Sequence, residues 1–364
     1  MHCGRPPDPK GPSAVPTVPR SARLLALFFA AATVALPACV PIPPGLPAPP
    51  VSGAGGSSTQ MPVTSFGSGQ GRPFADASPF NSPIPANPAT DSHSADIVGH
   101  LSSARSGAIA DLYEYGRSVY AANATTPKVS VRATMAPDWG RDPFAGIAVP
   151  MPTNAQPAPG SDGQLVVVDY STGRSYELWQ AHRVDATHWT TSWGQITPNV
   201  YTGVGTETLT GGSVVAAGTS GLAGLVRAFE IRQGSINHAL SFSGDAVTPG
   251  VFRYPAAHTD GSNMIGAPAS STIAEGTRVQ LDPSIDLSKI PGITQGELVV
   301  GRALQKYGAY CVDQGGAPMA VGFENPSGDP KGDPYPSAGF AWDYYGMSHI
   351  PWSKLRVLRN WNGG

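Results

Sequence analysis

Apolar and polar residues alternate through Gly234-Ser-Ile-Asn-His-Ala-Leu-Ser-Phe-Ser243. Ile236, His238, Leu240 and Phe242 fall on one face of an extended chain, and Asn237, Ala239, Ser241 and Ser243 on the other. A period of two predicts a half-buried β-strand. Before it, Arg227 to Gln233 predicts a short helical turn closed by Gly234 in the left-handed conformation. After it, Gly244 to Gly250 reads as a loop and Val251 to Tyr254 as a second strand. Paired as a hairpin, the two strands set His238 opposite Ala256, with His258 and Asp260 just beyond at the same end. His238 and His258 are then diagonal neighbours, roughly 7–8 Å apart.

Similar patterning recurs along the chain. Gln164 to Asp169 and Ser175 to Gln180 predict a hairpin around Tyr170-Ser-Thr-Gly173, with positive φ at Gly173 and Asp169 accepting from the turn. Further strands are expected at Val119–Tyr120, Val129–Val131, His188–Trp193 and Arg278–Leu281, the last after a turn at Glu275-Gly276. Tyr310 to Val312 should turn back through Gln314-Gly-Gly316 into Met319–Phe323, and Trp352 to Trp361 should dock a final strand. Helices are few. One is expected from Ser94 to Ala104 with Ile97, Val98 and Leu101 inward, and a turn of helix around Ile109, Leu112 and Tyr113. Thr294-Gln-Gly-Glu297 is a capping box that starts a helix ending near Tyr307 and Gly308. Many short strands between Gly- and Pro-rich turns predict a mainly β fold, a β-sandwich or jelly-roll-like single domain with a few short helices. No repeat of fixed period supports a propeller or solenoid.

Composition changes this picture at one end. Arg20 and Arg23 precede an apolar run from Leu24 to Leu36, too short to span a bilayer comfortably and suited to a signal-peptide core. Leu36-Pro-Ala-Cys39 is similar to a bacterial lipobox, imperfect at Pro37, and predicts diacylation of Cys39. The plainer alternative is ordinary secretory cleavage beside a coincidental cysteine. Val40 to Gly71 is rich in Pro, Gly and Ser and reads as a tether. The expected organisation is therefore a signal peptide over 1–38, a tether over 39–72 and a β domain over 73–364, lipid-anchored on the outer face of the cytoplasmic membrane or in the cell envelope. Cys311 is then the one cysteine left in the domain, so no disulfide is expected there, and it reads as a buried structural thiol. The formal net charge of −2 gives no basis for a nucleic-acid partner, and the lipid is the only membrane contact expected.

Familiar catalytic signatures are missing: no Gly-x-Ser-x-Gly, no His-Glu-x-x-His, no phosphate loop and no Cys-x-x-Cys. The candidates that remain are His238, Tyr254, His258 and Asp260. A His and a Tyr in one cleft suit a β-elimination on a uronic-acid polymer, with Arg253 or Asn237 neutralising the carboxylate. Trp179 and Glu177 are candidate sugar contacts. Each has a plainer reading: His238 as a buried, hydrogen-bonded side chain, Trp179 as core, Glu177 facing solvent. A metal on His238, His258 and Asp260 is a third option, and no metal or cofactor is assigned. The expected function is binding or cleavage of polysaccharide, lyase- or hydrolase-type. The alternative is a non-catalytic envelope or adhesion protein with a structural His238.

Phe80-Asn-Ser-Pro-Ile-Pro85, Gly160-Ser-Asp-Gly163 with Val167 to Trp179, and Gly234 to Phe242 carry a further likeness. So do Glu275-Gly-Thr-Arg278, Ala303-Leu-Gln-Lys-Tyr-Gly308 with Asp313-Gln-Gly315, and Leu355-Arg-Val-Leu358. From Phe80 to Trp361 the chain resembles a group of exported actinobacterial proteins. The resemblance implies an export-associated domain and brings no activity with it.

Overall fold

Strands outnumber helices in the computed structural model, which describes residues 72–359. The signal-peptide, lipidation and tether expectations, Cys39 included, lie outside the described residues. No helix among these residues is long and apolar enough to cross a membrane.

The chain enters through α1 (Ser94–Leu101), then β1 (Ile109–Asp111), β2 (Arg117–Ala122), β3 (Lys128–Ala133) and β4 (Ala148–Pro150). It continues through β5 (Leu165–Asp169), β6 (Arg174–Trp179), β7 (His182–Arg183), β8 (His188–Thr191) and β9 (Trp193–Thr197). After α2 (Ala228–Gln233) come β10 (Leu240–Gly244), β11 (Val247–Phe252), β12 (Ile273–Glu275) and β13 (Arg278–Leu281). Beyond α3 (Gln295–Lys306) lie β14 (Ala309–Gln314), β15 (Ala320–Gly322), β16 (Glu324–Asn325), β17 (Tyr345–Gly346) and β18 (Leu355–Val357). They form a seven-stranded sheet in the order β17-β1-β15-β10-β14-β13-β18, a five-stranded sheet β16-β2-β5-β6-β9, a four-stranded sheet β4-β3-β8-β7, and the pair β11-β12.

Side-chain alternation stacks these sheets. Leu240, Phe242, Val279, Ala309 and Cys311 pack from one face of the large sheet onto Ile97, Val98 and Leu101 of α1 and Val299, Val300, Ala303 and Leu304 of α3. Tyr310 and Val312, at the alternate positions of β14, pack with Val119, Val166 and Val168 of the five-stranded sheet. Tyr120, Val167, Tyr176 and Leu178 point from that sheet's other face onto Val129, Val131, Val149 and Trp189 of the four-stranded one. β5 is thus buried on both faces, which is why it reads Leu-Val-Val-Val without alternation.

The expected β5–β6 hairpin is present, Asp169 opposite Arg174, with Gly173 at φ 71°. Asp169 accepts from the Ser171 amide and from the Ser171 and Thr172 hydroxyls. The α3 capping box closes in both directions between Thr294 and Glu297. Gly234 ends α2 at φ 81°.

Three local expectations are corrected. Ile109–Asp111 is a strand, drawn into the sheet by parallel pairing with β15, and not a turn of helix. β10 and β11 do not form a hairpin. β10 begins at Leu240, two residues after His238, and is a central strand between β14 and β15. β11 pairs with β12 elsewhere, and its second half is exposed, so it lacks the two apolar faces a central neighbour of β10 needs. Likewise β14 turns at Gln314–Gly316 but does not pair with β15, because β10 lies between them. The sheets are mixed, with parallel pairs such as β10–β14 and β2–β5.

Candidate active-site cleft

Two chain segments cross from the seven-stranded sheet into the five-stranded one side by side. β15 pairs with β1 and β16 with β2, both in parallel, Asp111 opposite Gly322 and Glu324 opposite Arg117. The 320–325 segment crosses in one residue, Phe323, whereas its neighbour takes five, 112–116. The surplus is a loop with Asp111 and Arg117 at its feet and Tyr115 near its crest. The Asp343 carboxylate pins it by accepting from the Leu112, Tyr113 and Glu114 amides. Gly116 permits the return, since a Cβ there would stand 2.6 Å from the Leu112 carbonyl oxygen.

Beside this loop is a cleft of about 420 Å³. Its floor is the large sheet where the side chains are small: Ser241, Ser243, Ala320 and Gly322. Arg117, Asp162, Gln164, Tyr115 and Tyr344 also line it, as do Asp111 and Asp313. Arg117 is buried, and its Nε donates to Gln164 Oε1 at 2.6 Å. A Cβ at position 322 would stand 3.0 Å from Arg117 Nη1, so glycine leaves room for the guanidinium over β15. Burial lowers the proton affinity of Arg117, and the carboxylates of Asp313, Glu177, Asp162 and Asp111 oppose that. Burial and the Asp343 charge push Asp111 up to about 7. Burial and the Asp260 charge push Asp313 up to about 8. The rings of Tyr115 and Tyr344 lie 6.2 Å apart at the mouth. Tyr344 holds φ at +56°, a conformation rare for a non-glycine residue and concentrated at functional positions. Trp179 Nε1 approaches Asp162 Oδ1 at 3.4 Å, and the Trp179 ring stacks on exposed Trp139 with centroids 6.0 Å apart. Asp162 thus links the cleft to an aromatic pair.

Asp313, on the lining of the cleft, also belongs to a carboxylate trio. Oxygens of Asp260, Glu275 and Asp313 all lie within 4.8 Å of one another. Glu275 is fully buried, and burial together with the Asp260 charge pushes it up to about 9.

The residues singled out from sequence are scattered relative to this cleft. His238 is buried, with Nδ1 bonded to the Ala239 carbonyl at 2.8 Å and Nε2 to the Glu230 carboxylate at 3.1 Å. Both partners only accept, so the ring carries both protons and offers no atom to a substrate. Burial works to lower its proton affinity, but Glu230 outweighs it and the ring is pushed up. His258 is exposed, its Nδ1 bonded to the Ala216 carbonyl at 2.6 Å. Tyr254 is exposed, and Arg253 pairs with Asp91 at 3.0 Å. The Asn237 carbonyl accepts from Arg72. Glu177 does not face solvent. It lies buried on the inner face of β6, where Ser175, Thr197 and Ser220 hydroxyls and the Gly221 amide donate to it. None of the four catalytic candidates lines the cleft; Asp260 stands beside it, with an oxygen within 4.8 Å of one on Asp313. Trp179 touches it through Asp162.

Asp111, Arg117, Asp162 and Asp313 escaped the sequence reading. Asp111 and Asp313 lie at or next to the end of an apolar strand, but so does Asp169, which only caps a turn. The motif cannot separate these roles, because the difference lies in what the neighbouring strands leave empty. No protein-family model matches the chain, and neither does any curated protein or solved structure.

Proposed function

We propose that this cleft binds a saccharide and cleaves a glycosidic bond by carboxyl acid–base chemistry. The observation that carries this reading is the set of carboxyl groups gathered around buried Arg117, beneath the Tyr115–Tyr344 pair. Tyrosine and tryptophan faces suit the apolar faces of sugar rings, while Gln164, Ser241 and Ser243 offer partners to hydroxyls. Asp111, which exchanges its proton near neutral pH, gives that proton to the leaving oxygen as the C–O bond breaks. Asp162 takes a proton from the water that attacks the anomeric carbon. The Arg117 charge offsets the repulsion among these carboxylates. The uronic-acid lyase variant loses its support, since His238 is enclosed and fully bonded.

The test is a reducing-end assay of the full chain against a panel of neutral polysaccharides, with 235-nm absorbance followed in parallel for elimination. Asp111→Asn and Asp162→Asn are each expected to lower the rate by roughly 10²–10⁴. Binding without new reducing ends would favour a non-catalytic carbohydrate-binding protein, which the exposed Trp139–Trp179 stack also suits. Neither binding nor cleavage would overturn both. The same proposal sets the domain at the cell envelope on a lipid carried by Cys39. Cys39→Ala should then move the protein out of the detergent phase.

A further inference from the structure

We propose that Asp260, Glu275 and Asp313 bind a divalent cation of calcium's size beside the cleft that Asp313 lines. Clustered acids alone would not support this. The second observation is Glu275 itself: it is fully buried, and neither carboxylate oxygen has a hydrogen-bond partner. Asp260 and Thr259 stand near enough to affect its proton affinity, but neither meets hydrogen-bond geometry with it. Buried polar groups are almost always partnered, and an unpartnered carboxylate is among the costliest to enclose. The other fully buried glutamates among the described residues each have at least one bonded oxygen: Glu177, Glu297 and Glu324. Glu275 is aimed instead at two more carboxylates.

The spacing and the donor set point to the ion. Oxygens that share a cation at about 2.3–2.6 Å, the calcium distance, can stand no more than about 5 Å apart. The three carboxylates fall inside that limit, with one oxygen from each within 4.8 Å of the others. Magnesium demands near-ideal octahedral geometry at about 2.0–2.1 Å and gives up its waters reluctantly, so three protein carboxylates from separate segments suit calcium better. Oxygen-only donors also suit a hard cation and not zinc or copper.

The ligands are held from three directions. Glu275 ends β12, which is fastened to β14 where the Gly276 amide meets the Cys311 carbonyl at 2.8 Å. Asp313 lies on β14 itself. Asp260 lies in a loop tied to β14 by Ser262 N donating to Gln314 Oε1 at 2.8 Å, and to β11 by Asn263 N donating to the Val247 carbonyl at 3.0 Å. Asp260 is exposed, which gives an ion a route from solvent. Asp313 lines the cleft, so a bound ion would stand beside any ligand there. The inference does not depend on the saccharide reading.

The experiment uses the full chain stripped with EDTA. Calcium chloride and magnesium chloride are titrated separately by calorimetry, and melting temperature is followed in parallel. One calcium per chain is expected, with a rise in melting temperature of roughly 5 °C at a hundredfold excess over Kd and weaker binding of magnesium. Glu275→Gln and Asp260→Asn should each weaken calcium binding at least tenfold, without lowering the melting temperature in EDTA. Asp260 is on the surface, so that variant keeps the test decisive if the buried one folds poorly. Calcium binding that survives both substitutions would overturn the site, as would no heat and no thermal shift with either ion up to ~10 mM, beyond the weakest range of protein calcium sites.

Discussion

Glu177 and Glu275 are both fully buried glutamates on β-strands, and their surroundings treat them in opposite ways. Around Glu177, β6, β9 and the segment at 220–221 supply three hydroxyls and an amide, at 2.6–2.9 Å. Glu275 has no donor in hydrogen-bond geometry and two carboxylates for company. Burial alone therefore says little about a carboxyl's role. A complete set of donors marks a side chain that joins elements together. An incomplete one marks a position where the fold has left a valence open.

The largest effect should follow from breaking the complete set. Glu177→Leu strands four buried donors and should destabilise by about 3–5 kcal/mol, read from urea denaturation. A loss under ~1 kcal/mol would mean that those donors find other partners.

His238→Ala removes the ion-pair partner of buried Glu230, leaving it the Arg227 amide, and should cost about 3 kcal/mol. The pH dependence sharpens this. His238 titrates above its unfolded value, so its contribution is fully present below that value and is lost as pH rises through the raised folded one. The stability gap between wild type and variant should therefore narrow in alkaline buffer. A gap that widens with pH would put the wrong charge on the ring.

Asp111→Asn should act in the opposite direction. The raised carboxyl is penalised only when ionised, so the folded state carries no penalty below about 3.8, a growing one up to about 7, and the whole of it above. The variant should melt a few degrees higher than wild type at pH 8 and alike at pH 3.5, while losing activity, the exchange expected of a functional carboxyl. A lower melting temperature at pH 8 would make Asp111 structural, as Glu177 is.

The smallest loss is expected for Glu275→Gln in EDTA. No partner is lost, and the penalty for ionising a buried carboxyl is removed, so the variant should lose no stability and should gain some at alkaline pH. A loss as large as that of Glu177→Leu would erase the contrast.

Much of the fold is legible in the chain where the cause is local. The β5–β6 turn, the α3 capping box, the Gly234 stop and the Arg278–Leu281 strand need only neighbouring residues. What fails is partner choice. The alternation from Ile236 to Phe242 is real, but whether β10 pairs with β11 or with β14 depends on residues some seventy positions away. The same limit hides the cleft. Ser241, Ser243, Ala320 and Gly322 look unremarkable in sequence, and only their juxtaposition on one floor makes a space. His238 shows the converse: its place among Ile236, Leu240 and Phe242 already favoured burial, and Glu230, eight residues earlier, completes it.

The paired crossing of 109–122 and 320–325 also bears on how a ligand would be received. Because each segment belongs to both sheets, neither sheet can tilt or slide without breaking the other's ladder. The floor at Gly322 and the wall at Arg117 are parts of one stiff body, and the cleft has no hinge through this seam. Its width is set during folding, so the ordering cost that a flexible pocket would incur on association has already been met.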